Sequence, residues 1–93
     1  MRFNPGQFGA TPAALAAVPQ SSIIDAIARH VEGDWGDVSE ADKRANNRAL
    51  RDGGRLLSAY HAKSGNDPKR EVKFWIITEA DRSATTVLLP SDY

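Results

Sequence analysis

Two periods divide the chain. Residues 11–52 are rich in alanine and helix signals, and over residues 55–89 the apolar positions alternate or run together in β-branched and aromatic stretches. Thr11-Pro12 opens the first helical segment, because threonine can cap free amides and proline at the first helical position sacrifices no hydrogen bond. That helix, AALAAV, stops at Pro19. A second begins after Ser21 or Ser22 and carries Ile23, Ile24, Ile27 and Val31 as one apolar stripe, with Gly33 as its exit. GDWGDVS is then a loop that folds Trp35 back onto the core. Ser39, with Asp42 three residues on, caps a third helix, EADKRANNRALRD, that ends at Gly53-Gly54. Its stripe of Ala41, Ala45, Ala49 and Leu50 predicts close but modest packing.

The second half predicts three strands. RLLSAYHA (55–62) and EVKFWIIT (71–78) flank the polar hairpin loop KSGNDPKR, and ATTVLLP (84–90) ends at its proline. In EVKFWIIT, Val72, Phe74 and Ile76 share one face while Trp75 and Ile77 share the other. A strand apolar on both faces belongs in the middle of a sheet. The link Glu79-Ala80-Asp81-Arg82-Ser83 has hairpin length, and its Asp and Ser favour a chain reversal over an acid/base site. The expectation is one α+β domain over residues 1–93, with residues 1–10 an irregular or extended lead-in. About three N-terminal helices precede a three-stranded antiparallel β-meander. Helices pack on one face, so Trp75 and Ile77 on the other need a cover, supplied by the N-terminal segment or by a second copy. They are the candidate protein-interaction residues.

Composition narrows the function classes. Basic and acidic residues balance at twelve each, so bulk charge draws the chain to neither nucleic acid nor anionic membrane, and no apolar run is long enough to span a bilayer. The absence of cysteine removes disulfides and thiolate chemistry, and at this length it favours a reducing, cytoplasmic setting. MRFNPGQFG has no apolar core of the kind a secretory signal needs.

Local clusters remain. Arg44, Arg48, Arg51 and Arg55, with Lys43 beside them, fall on one ridge if the third helix persists, and planar guanidinium groups so spaced suit phosphate contacts. A solvated face favoured by the helix dipole explains the same spacing. His30, Glu32, Asp34 and Asp37 match no recognised metal-ligand spacing, and His30 suits a helix C-terminus as a cation or polar cap. His30 and His61 are the only histidines, and no motif sets a serine beside either. No catalytic residue and no cofactor is expected.

The stretches RHVEGDWGDVSEADKRANNRAL, RLLSAY and WIITEADRSATTVLLPSDY resemble, over nearly the whole chain, a family of small bacterial plasmid-related and mobile-element proteins. Some members carry a label borrowed from the modification subunit of type I restriction systems. The resemblance implies a mobile-element accessory protein and brings no activity and no functional residues with it. A methyltransferase would need a Gly-rich donor loop and an Asn-Pro-Pro-aromatic motif. Asn4-Pro5-Gly6-Gln7-Phe8 lacks the second proline, and the chain is too short for the pocket an extruded base requires. The expectation is a non-enzymatic accessory that binds a protein partner or itself, the alternative being a nucleic-acid binder using the basic ridge.

Overall fold

The computed structural model describes residues 1–93. In chain order the elements are β1 (Gln7–Ala10), α1 (Pro12–Ala17), α2 (Gln20–Val31), α3 (Glu40–Asp52), β2 (Leu56–Lys63), β3 (Glu71–Thr78) and β4 (Ala84–Leu88), followed by a 3-10 turn at Pro90–Asp92. The sheet order is β1-β4-β3-β2. β3 lies between β2 and β4, antiparallel to both, while β1 runs parallel to β4.

The class is α+β, but the expected three-stranded antiparallel meander is corrected to a four-stranded mixed sheet. The lead-in supplies the extra strand. Nothing local marks QFGA as a strand, since it has no β-branched residue and one glycine. It forms because the β4 border needs partners: the Gln7 and Thr11 amides donate to Ser83 O and Val87 O at 3.0 and 2.9 Å.

Helix starts follow their caps. Thr11 Oγ1 accepts from the Ala14 amide at 3.1 Å, and Ser39 Oγ accepts from the Asp42 amide at 3.1 Å. α2 begins right after Pro19, earlier than its serines suggested, and without a side-chain cap. Its packed residues are Ile23, Ala26, His30 and Val31, so the isoleucine stripe is rotated, Ile24 faces out and a histidine faces in. α3 buries Asn46 and Ala49, whereas Ala41 and Ala45 are exposed.

All three helices serve one face of the sheet. Ala14, Val18, Ile23 and Ala26 pack on Tyr60, Phe74, Ile76 and Val87, and a second cluster joins Trp35 and Ala49 to Leu56. Burial of Phe74 and Ile76 stabilises the fold by about 1.5–3 kcal/mol each. Trp75 and Ile77 occupy the opposite face, as the alternation requires. Within the chain their cover comes from the C-terminus and not from the N-terminal segment. Ile77, opposite Leu57 and Thr86, is buried in the sheet surface, and Trp75 is half-buried with Tyr93 edge-on at 5.8 Å. The C-terminal turn therefore shields this face. Asp92 fastens that turn, accepting from the Thr11 hydroxyl at 2.6 Å and from the Leu89 amide at 2.9 Å.

The outer border of β2 is closed at Leu57 and Ala59. Asn46 of α3 donates to Leu57 O and accepts from its amide, and residues 35–37 run alongside Ala59 as a short parallel bridge. Gly36 (φ 73°) permits that approach, because a Cβ there would enter Ala59 O and the Tyr60 ring.

Candidate functional site

His30 is fully buried, and its ring stands edge-on to Phe3 and Trp35 at 5.4 and 5.6 Å. Nδ1 lies 2.5 Å from Ser58 Oγ and Nε2 lies 2.9 Å from Thr78 Oγ1. Thr78 and Thr85 hydroxyls are 2.7 Å apart, and Thr85 reaches Pro5 O at 2.6 Å. The far end fixes every proton. A prolyl carbonyl only accepts, so Thr85 donates to it and must accept from Thr78. Thr78 then accepts from His30 Nε2–H, which leaves Nδ1 to accept from Ser58. Burial lowers the imidazole pKa to about 4, so the ring is neutral, as this order requires.

Sequence reasoning missed this pairing, and the reading of His30 as a cation or polar cap is corrected to a neutral core residue. The Ser58–His30 pair has the polarity of a nucleophile and its base, yet its orienter is a hydroxyl rather than a carboxylate. All four side chains are also sealed from solvent. What the relay does chemically is satisfy buried hydroxyls, each of which would cost about 1–3 kcal/mol unpaired. Asn4-Pro5-Gly6 is part of it: Asn4 Oδ1 accepts from the Gly6 amide at 3.0 Å, presenting the Pro5 carbonyl to Thr85.

The metal-candidate carboxylates and His30 are not brought together. Glu32 meets the N-terminal ammonium, Asp34 holds Arg29 and Asp37 holds His61. The bond from Arg29 keeps the Asp34 carboxyl below its usual range, and the bond from His61 does the same for Asp37. His61 touches Glu71 with its other nitrogen at 3.2 Å, at the rim of a shallow cleft of about 380 Å³ that Arg29 and Tyr60 also line.

The basic ridge is shorter than expected. Arg44, Arg48 and Arg51 are exposed on α3, diametrically opposite Asn46 and Ala49 at ~100° per residue, and none forms an ion pair. Lys43 is tied to Glu40 at 3.3 Å. Arg55 has left the ridge, because the chain turns at Gly53 and Gly54 (φ 88° and 136°). It pairs with Glu79 and donates to Tyr93 Oη at 2.7 Å.

The Glu79–Ser83 link is a turn with a second task. Arg82, at φ 61°, sends its guanidinium to Gly54 O at 2.6 Å and Ala49 O at 3.0 Å, with longer bonds to Glu79 O and Ala80 O. Arg82 thus clamps the end of α3 to the β3–β4 corner.

The opposite end of the sheet is different. Gln7 and Thr11 donate to β4, so the alternation of a parallel ladder turns the amide and carbonyl of Phe8 and Ala10 outward. Phe8 is 53% exposed, on the helix side of this free border. β1 lies in the longest charge-free stretch of the chain: no Asp, Glu, Lys or Arg occurs from Phe3 to Ile24. Phe8, Leu15 and Ile24, three of the five large exposed apolar residues, belong to it. The gap between Arg2 and Asp25 was the sequence signal that could have found this surface. Comparison of the chain with protein-family models, curated proteins and solved structures gave no match.

Proposed function

We propose that this chain is a non-enzymatic interaction module whose working surface is the free border of β1 and the charge-free segment around it. A mobile-element accessory role, implied by the resemblance of its sequence, suits such a module. The observation that carries the reading is the contrast between the two ends of the sheet. The β2 border is capped by a side-chain amide and a bridge, while the β1 border, with Phe8 beside it, carries no lysine, proline or bulge to discourage pairing. Charge depletion marks the centre of protein interfaces, and strand addition at an open border is a recurrent recognition mode.

The test is a comparison of the tagged protein with its Phe8→Lys variant in host extract containing untagged chain. The reading expects a stoichiometric protein, a second copy included, retained by the wild type and lost by the variant. Equal retention, or none, contradicts it.

A second reading rests on Arg44, Arg48 and Arg51, three unpaired guanidinium groups facing away from the packed side of α3. They suit phosphate-backbone contacts with nucleic acid.

A further inference from the structure

The geometry points to a second copy of this chain as the occupant of the β1 border, joined by antiparallel β1–β1 pairing about a two-fold axis at Gly9. This names the partner within the interaction-module reading and rests on it.

The first argument is register. The outward groups belong to Phe8 and Ala10, symmetric about Gly9. An antiparallel pairing centred there sets each Phe8 against Ala10 of the other copy. Both residues then exchange amide and carbonyl bonds, and the two Gly9 residues face each other as a non-bonded pair with Cα atoms ~4.5 Å apart. Centring on Phe8 instead would call on Gly6, whose φ of 67° is not extended.

Charge is the second argument. A two-fold interface sets each residue near its own copy, so any charge close to the axis opposes itself. β1 itself has none, and the carboxylate nearest it, Asp92, is held by the Thr11 hydroxyl at 2.6 Å. Phe8 also lies on the same sheet face as Ala10 and would cover it across the junction.

The third argument is closure. Pairing β1 of one copy with β2 of the next would generate an open filament; the Asn46 cap and the 35–37 bridge block that border at Leu57 and Ala59, and Lys63 stands at the remainder. β1 with β1 is the pairing whose whole border is free, and it closes at two.

Gly9 is the fourth. Its φ is ordinary and a Cβ there would meet nothing within 4 Å, so neither conformation nor crowding in one chain calls for glycine. With no bulge in the β1 register, the glycine suits a place where another backbone comes close.

The experiment exploits the absence of cysteine. In this register Gly9→Cys brings two thiols into disulfide range, whereas two Gln7→Cys thiols stand about 13 Å apart. The expected result has three parts: wild type sediments at twice 10.1 kDa at high micromolar concentration, Gly9→Cys cross-links under mild oxidation, and Gln7→Cys cross-links at least tenfold less. Phe8→Lys and Ala10→Pro, the latter removing an outward amide at a residue that also touches the core, should be monomeric with unchanged far-UV circular dichroism. A monomeric wild type with no Gly9→Cys cross-link overturns the two-fold pairing. So does equal cross-linking of both cysteine variants, or a dimer that survives Phe8→Lys and Ala10→Pro. A monomeric wild type that still retains a different protein through Phe8 in extract defeats the second copy alone. Retention indifferent to Phe8→Lys defeats the interaction-module reading as well.

Discussion

Asn46 is joined to Leu57 as one strand is joined to the next: Nδ2 donates to Leu57 O at 2.8 Å and Oδ1 accepts from Leu57 N at 3.1 Å. The side chain of a helical residue thereby ends the sheet. The protein has one border finished in this way and one left open.

Removing that cap has a defined cost. Asn46→Ala strands an amide and a carbonyl at a part-buried position, and the expected loss is about 1–3 kcal/mol in urea denaturation. Asn46→Asp keeps the acceptor for Leu57 N but sets a carboxylate against Leu57 O, so it should rescue nothing. A variant as stable as wild type would show that water replaces the amide without penalty.

Arg82 supports a second prediction. Its fork bonds Gly54 O and Ala49 O at once, a geometry that a lysine ammonium cannot reproduce. Arg82→Lys should therefore lose about 1–3 kcal/mol of stability although charge is retained. Equal unfolding midpoints for the two proteins would reduce the clamp to a surface contact.

The relay predicts a pH dependence. His30 titrates at about 4 when folded against an ordinary value near 6.5, so between those limits the unfolded chain binds the proton more readily. Stability is then complete above about pH 6.5 and declines as pH falls towards 4, by up to about 3 kcal/mol. His30→Gln, less stable throughout, should show a flatter profile over the same window. Parallel profiles from chemical denaturation would count against a buried neutral imidazole.

The arginine stripe predicts which substitutions matter. If nucleic acid binds, Arg44→Ala with Arg48→Ala and Arg51→Ala should abolish a low-salt gel shift and lower the salt slope by about 0.9 for each phosphate left without its arginine. Arg55→Ala, outside the helix and engaged with Tyr93, should leave the shift unchanged. Equal effects would contradict the division of the ridge at Gly53.

Much of this framework was legible in the residues themselves. Thr11-Pro12, Ser39 and Gly53 act locally, so they set the helix limits, and EVKFWIIT announces a middle strand by being apolar on both faces. What stayed hidden depends on residues far apart. β1 is a strand only because β4 lies beside it, and Ser58 meets His30 only after the helix docks on the sheet. Apolar spacing does not mark Asn46 on α3, where a polar residue packs by satisfying a strand border. A helix period extended through Gly53 and Gly54 puts Arg55 on the ridge, but the backbone of those two glycines ends the period. The open β1 border was foreshadowed less by any motif than by the lack of charge around it.

Hydrogen exchange at the Phe8 and Ala10 amides tests self-pairing most directly. The Gln7 and Thr11 amides, bonded to β4, should be protected at every protein concentration. Those of Phe8 and Ala10 should exchange freely when dilute and become at least tenfold slower as concentration rises. Concentration-independent, rapid exchange at Phe8 and Ala10 would contradict the assignment of this border as the surface through which the chain pairs with itself.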